Sequence, residues 1–446
     1  MGCSSSDKRG VYEGLDGEIK LIVLDPGHFH ASLLQKDMIP QINKNVYVYA
    51  PEGPELKSYL ETIDTYNMRT DNPTSWSMIV YSQSDYLQKM IEDKSGNVVI
   101  LAGNNKKKEE YINTCIASGL NIMCDKPMAI NSRKFKALEE AYQKTKEDGI
   151  LLYDMMTERF EENNSIQREL INSKELFGEL QKGTPDNPAI ISESVHHFLK
   201  EVSGKPLVRP AWYYDVEQQG DGITDVTTHL IDLINYNCFP LQTINYKTDV
   251  NVIDAGRWTT KLSLNDFGSS TILTEFPDFL KKDINNDTLD VYANGFIQYN
   301  INGINVKVNV AWNLKAPEGT GDTHQFIVKG TKSNILILQG KDQGYKPQLY
   351  IEMHSETDKK SFYTHLDKLI TDLQDKYPGL SYNEELGMIH ISIPDNLKKG
   401  HEAHFTRVVE TFLSYLKDGK LPEWEVSNTL AKYYITTKAL QIAKDK

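Results

Sequence analysis

From Glu18 onward the chain alternates short, β-branched apolar runs with stretches whose apolar residues recur at helical spacing. In order these are IKLIVLD, a helix from about His30, NVYVYA, a helix from about Pro54, SMIVYS, the helical SQSDYLQKMIED, NVVILAG, the helical KKKEEYINTCIASG closed by Gly119, and NIMCD. A helix from Ser132 and the strand GILLYDMM complete the run. Strands that are continuously apolar, each followed by a helix, predict a parallel sheet covered on both faces. The expectation is an α/β, Rossmann-like, doubly wound nucleotide-binding domain over residues 18–156.

Beyond about Thr157 the polar segments lengthen and strands follow one another directly: STILTEF, LDVYANGFIQYNI, INVKVNVAWNL, THQFIVKG and SNILILQG. Their alternation of apolar and polar residues predicts an open, mainly antiparallel sheet with one covered face. One helix is expected from GHEAHFTRV and another from about Glu425. Residues 157–446 therefore read as an α+β domain.

Composition narrows the partners. At 446 residues with 39% hydrophobic and 25% charged residues, two domains are the natural division. A net charge of -13 and a pI near 5.4 speak against a nucleic-acid surface. No apolar run approaches the roughly 18 residues that span a bilayer. Cys115, Cys124 and Cys238 form no close CxxC pair, so neither a metal nor a disulfide framework is expected, and they read as small buried hydrophobes.

Residues 1–17 begin MGCSSSDKRG and read as a flexible tether. The preferred reading is a lipoprotein whose signal peptide is absent from this chain, lipidated at Cys3 and placed in the periplasm or on the outer surface. Myristoylation at Gly2, with Ser6 completing the pattern and Cys3 open to palmitoylation, is the rival. An unlipidated start, and with it a cytoplasmic location, stays open.

Candidate chemistry gathers at strand ends, where open α/β sheets carry their sites. In NIMCDKPMAI an apolar strand stops at Asp125 and Lys126, and Pro127 holds Lys126 extended. That suits a proton-transferring lysine, and an ordinary exposed loop pair reads the same. The first turn, DPGHFHASL, keeps one of the three glycines of a phosphate fingerprint. Gly27 lets backbone approach a phosphate, with a helix N-terminus behind it expected to offer unpaired amides. Asp25 stands at the first glycine position and His30 near the third, while His28 and His30 read either as site residues or as cap and packing residues. Ala50 stands where a ribose-binding acid is expected, with Glu52 or Glu55 as substitutes. Lys106, Lys107 and Lys108 read as a solvated face at a helix start capped by Asn104 or Asn105.

The second half carries EQQGDGITDVTTHLIDLIN, opened by Gly220 and Gly222 and helical by Ile223. Asp225, His229 and Asp232 fall at i, i+4 and i+7 on one helix face. A carboxylate one turn ahead of an imidazole can orient it and raise its basicity, although a structural surface pair looks identical. Asp232 reads as structural, bonding to nearby backbone. Glu318, Asp322 and His324 in KAPEGTGDTH read as a solvated hairpin, with a sugar-lining role as the alternative. His401, Glu402 and His404 read as surface or capping residues.

The strand ending in CDKP, together with GDGITDVTTHLIDL, resembles the Gfo/Idh/MocA oxidoreductase family across both halves. Asp125, Lys126 and Pro127 match the family's Glu-Lys-Pro motif with Asp for Glu, and Asp225 and His229 match its aspartate and histidine four residues apart. The resemblance implies NAD or NADP as cofactor, contacted by Gly27, His28, Phe29, His30, Ala102, Asn104, Asp125, Lys126 and Pro127. It implies Lys126, His229 and Asp225 as the catalytic set, no metal, a sugar, polyol or glycoside substrate, and a homodimer or homotetramer built on the open sheet. Two further functions fit the same residues: glycoside hydrolysis by transient oxidation and elimination, and sugar binding without catalysis on a degenerate scaffold.

Overall fold

The computed structural model describes residues 12–202, 205–398 and 400–446. Cys3 and the tether expectation fall outside them. The chain forms two compact units: residues 1–128, 137–155 and 405–426 in the first, and residues 129–136, 156–404 and 427–446 in the second.

The first unit is a six-stranded parallel sheet. Its strands and the intervening helices are β1 (Leu21–Leu24), α1 (His30–Leu33), β2 (Asn45–Tyr49), α2 (Pro54–Met68), β3 (Ser77–Tyr81), α3 (Tyr86–Asp93), β4 (Val98–Leu101), α4 (Lys108–Ala117), β5 (Asn121–Asp125), α5 (Ser132–Asp148) and β6 (Leu152–Met155). The strand order β3-β2-β1-β4-β5-β6 reverses direction between β1 and β4, which opens a crevice at their C-terminal ends. The central strands LIVL and VVIL are buried along their whole length, as apolar runs in a doubly covered sheet must be. Gly119, at φ +75°, supplies the left-handed turn that ends α4 and starts β5.

The second unit holds α6 (Glu162–Asn172), β7 (Ile190–Leu199), the short pair β8 (Glu201–Val202) and β9 (Lys205–Pro206), α7 (Gly222–Asp225), α8 (Thr227–Cys238), β10 (Val250–Ser263) and α9 (Leu264–Thr271). There follow β11 (Ile284–Asn285), β12 (Thr288–Ile301), β13 (Ile304–Lys315), β14 (Thr323–Lys329), β15 (Ser333–Gln339), β16 (Gln348–Met353), α10 (Lys359–Asp372), β17 (Ser381–Glu385) and β18 (Met388–Ser392). Two long helices, α11 (His401–Asp418) and α12 (Glu423–Lys444), end the chain. Ten strands form one sheet in the order β10-β12-β13-β7-β14-β15-β16-β18-β17, with β11 on β12. All neighbours are antiparallel except β13 and β7.

Two expected elements differ. STILTEF is not a strand: Ser263 accepts from the Asp266 amide and Asp266 reaches back to the Ser263 amide, a capping box that starts α9 and carries the chain as helix to Thr271. The helix expected from His30 lasts only four residues. Among the described residues, no helix is long and apolar enough to cross a membrane. Cys115 and Cys124 are buried and Cys238 packs on the second unit's core, and burial raises all three thiols.

Candidate active site

In the first unit the β1 turn is held from behind rather than left open. The amides of Gly27 and His28 both donate to the Ala102 carbonyl, each at 3.0 Å, so they are not the unpaired phosphate donors expected of this turn. The reason is the approach of β4: a Cβ on Gly103 would lie 2.3 Å from the Asp25 carbonyl, and only glycine lets the two strand ends meet. Asp25, at φ +46°, accepts from Lys107 Nζ at 2.7 Å and from the Tyr111 hydroxyl at 2.6 Å. Its charge is therefore offset by a cation before any phosphate arrives.

The lysine trio is not a solvated face. Lys106 is exposed, Lys107 pairs with Asp25, and Lys108 is buried. Lys108 Nζ donates to the backbone carbonyl of Asp125 and, at 3.2 Å, to that of Pro127. A buried ammonium thus grips the main chain on both sides of Lys126, a contact no spacing rule points to. Asn104 Oδ1 accepts from the Lys106 amide and shapes the turn into α4, while Lys107 is the cap residue itself.

Asp125 is an anchor rather than an exposed loop acid. Its Oδ1 lies 3.0 Å from His30 Nδ1 and its Oδ2 3.1 Å from His28 Nδ1. A carboxylate only accepts, so the His30 bond requires the proton on Nδ1. Burial alone would raise the Asp125 carboxyl; the charge of His30, its hydrogen bond and the nearby His28 outweigh it and hold it well below the usual carboxylate range. His30 is buried with its ring edge-on to Phe405 at 4.8 Å, while Phe29 is exposed. The Lys126–Pro127 peptide is cis, and Lys126 itself is half-buried.

In the second unit the GDG stretch seats the helix start on the sheet. Gly222 comes so close to β12 that a Cβ would lie 2.0 Å from the Ala293 carbonyl. Asp221 caps α7 through the Ile223 amide and takes Arg257 Nη1 at 2.9 Å. Asp225 closes α7 and His229 lies in the first turn of α8, with only Val226 between the two helices. Asp225 Oδ2 accepts from Gln219 Nε2 at 3.0 Å. Asp232 is structural, but its partners are side chains and not backbone: Arg159 forks onto it at 2.6 and 2.7 Å and Lys432 reaches it at 3.0 Å. Burial raises its carboxyl, and the two cations more than reverse this.

The loop before β14 is solvated at its tip, where Glu318 is exposed, but not at its β14 end. Asp322 gathers His197 Nδ1 at 2.8 Å, Lys200 Nζ at 3.0 Å and His196 Nδ1 at 3.4 Å. Burial, then the charge of His196, pull the His324 imidazole down to about 4, so it is neutral at pH 7. His404 is buried with Nε2 3.6 Å from Glu162, and the side chains of His401 and Glu402 lie outside the described residues.

The strand-end crevice, the glycine-mediated approach of β4 and the neutralised Asp25 fit a dinucleotide in the first unit, with its phosphates held otherwise than by the Gly27 and His28 amides. A chain pairing such a unit with a mixed-sheet unit bearing Asp225 and His229 has the build of a nicotinamide-dependent oxidoreductase. The family model described as "Oxidoreductase family, NAD-binding Rossmann fold" matches residues 48–151, leaving β1 and its unusual turn outside the match. That described as "Putative oxidoreductase C terminal domain" matches residues 166–444. A putative oxidoreductase from Parabacteroides merdae is 51% identical, with a TM-score of 0.95, covering 98% of this chain and 100% of that one. The chain belongs to the Gfo/Idh/MocA family of oxidoreductases, and its cofactor is NAD or NADP.

More distant structures share the fold. A 3-ketoreductase from Actinomadura kijaniata in complex with NADP and TDP-benzene is 10% identical at a TM-score of 0.56, over 94% of this chain and 95% of that one. A biliverdin reductase from Synechocystis in complex with biliverdin and NADP+ is 11% identical at 0.56, over 96% and 99%. Among curated proteins none matches the sequence.

Proposed function

We propose that this oxidoreductase transfers hydride between its nicotinamide cofactor and a hydroxyl-bearing carbon of a sugar, polyol or glycoside. The observation that carries the reading is the clamped Asp125-Lys126-Pro127 loop: Lys108 holds the carbonyls on either side of Lys126, and His30 and His28 meet the Asp125 carboxylate, so the backbone that bears Lys126 is tied down. When bound, the dinucleotide supplies or accepts the hydride. Lys126 and His229 carry the hydroxyl proton. Asp225, whose Oδ2 already accepts from Gln219, either orients His229 or takes a substrate hydroxyl.

The test begins with the cofactor: protein purified gently and then denatured is expected to release NAD or NADP, or the empty protein to bind one in titration. Sugars and glycosides are then screened by nicotinamide absorbance and by product analysis. Lys126→Ala and His229→Ala are each expected to slow turnover by about 10²- to 10⁴-fold. Absence of cofactor and of binding at millimolar concentration would support sugar binding without catalysis. Glycoside cleavage with no net change in absorbance would mark the redox-neutral hydrolysis.

A further inference from the structure

In the first unit, the β1 turn and the end of β5 bring three metal-ligating donors together. One donor atom from each of His28, His30 and Asp125 lies within 4.8 Å of the other two, and among the described residues no other such trio occurs. The carboxylate turns one oxygen to each ring, Oδ1 at 3.0 Å from His30 Nδ1 and Oδ2 at 3.1 Å from His28 Nδ1. The two contacts are not alike. His30 makes a hydrogen bond, whereas His28 Nδ1, at nearly the same distance, has no hydrogen-bond partner. A shared proton accounts for the first contact and not for the second.

A shared ion accounts for both. Ligand atoms about 2.1 Å from one divalent ion and about 90° apart stand about 3.0 Å from each other. The donors need no open surface before the ion arrives, because it takes the place of the contacts between them. Entry falls to His28: its side chain is 31% exposed and can swing aside, while those of His30 and Asp125 are 6% and 4% exposed. The charge fits as well. Among the described residues no ammonium or guanidinium meets this carboxylate, since Lys108 goes to the Asp125 carbonyl instead. Asp322, the other carboxylate approached by two histidines, already holds Lys200 Nζ at 3.0 Å.

We propose that His28 Nδ1, His30 Nδ1 and the Asp125 carboxylate form a binding site for a divalent transition-metal ion of the Zn²⁺ or Fe²⁺ class. Two imidazoles and one carboxylate select such ions over Mg²⁺ and Ca²⁺, which take oxygen ligands. Binding places His30 in its other tautomer, with the Nδ1 lone pair on the ion and the proton on Nε2. Three protein ligands leave at least one coordination position open, as in catalytic rather than structural sites. The assignment departs from the resemblance, which implies no metal, and it does not depend on the hydride-transfer reading.

The experiment is titration of the full chain, stripped with a chelator, with Co²⁺ followed by visible absorption and with Zn²⁺ and Mg²⁺ followed by calorimetry. About one Co²⁺ is expected to bind per chain and to be displaced by Zn²⁺, with Mg²⁺ binding far more weakly. His28→Gln is expected to weaken binding by more than the roughly 100-fold that loss of an outer-shell partner costs. His28→Cys puts a thiolate in place of the imidazole and is expected to bind Co²⁺ with a sulfur-to-cobalt charge-transfer band in the near ultraviolet, which a merely structural His28 would not give. His365→Gln, on α10 in the second unit, is expected to leave binding unchanged. Thermal melting of each variant establishes that it is folded. Failure of Co²⁺ and Zn²⁺ to bind at millimolar concentration overturns the assignment. So does binding that survives His28→Gln undiminished, a His28→Cys variant without the charge-transfer band, or equal affinity for Mg²⁺.

Discussion

Lys108 shows how much of this site depends on a residue that performs no chemistry. Its ammonium is buried and its hydrogen bonds go to the main-chain carbonyls of Asp125 and Pro127, so the loop bearing Lys126 is tied to α4. Lys108→Met keeps most of the buried stem and removes both bonds. It is expected to destabilise the protein by about 2–4 kcal/mol, the scale of hydrogen bonds from a charged donor, and to weaken dinucleotide binding. Thermal melting and cofactor titration check this, and an unchanged melting temperature would show that the carbonyls find other donors. Sequence reading placed Lys108 on a solvated face because a lysine beside two others at a helix start is usually there. Burial of one of the three is a property of the carbonyls opposite it, which lie 17 and 19 residues away in the chain.

At the scale of elements, glycines decide where the site-bearing pieces can sit. Gly222 brings the start of α7 onto β12, and Gly295 on that strand gives way to Ile223: a Cβ there would lie 2.2 Å from the isoleucine's Cγ2. The GDG stretch is therefore a packing device that presents Asp225 and His229. Gly222→Ala is expected to cost about 3 kcal/mol or more, since the obstructing atom is a backbone carbonyl that cannot rotate away. A denaturation experiment measures this. The stretch itself was legible from its glycines and helical spacing. The capping box that starts α9 was not read from the sequence, and the helix it opens takes in only Ser270 and Thr271 of STILTEF, whose remaining residues form neither strand nor helix.

At the scale of the whole chain, Asp232 ties together segments 73 and 200 residues apart through Arg159 and Lys432. Its folded carboxyl titrates below the ordinary value near 3.9, so the unfolded chain takes up its proton first as pH falls. The stabilisation is thus complete above about pH 4 and declines below it. Melting measured from pH 7 to pH 3 is expected to show Asp232→Asn less stable by about 3–5 kcal/mol at pH 7, where two buried cations lose their counter-charge. The same variant should show a shallower decline below pH 4 than the unaltered protein, and parallel curves would remove Asp232 from the acid response. What the chain determined by itself was periodic and local: the parallel sheet, the strand stopping at Asp125-Lys126-Pro127, and the Asp225-to-His229 spacing, each set by residues within a few turns of one another. The tertiary structure alone decided which charges meet: Lys107 with Asp25, two histidines with Asp125, and three donors with Asp322. Pairings of this kind depend on strand order and register, which bring distant side chains to one place while leaving no mark on the pattern of either segment.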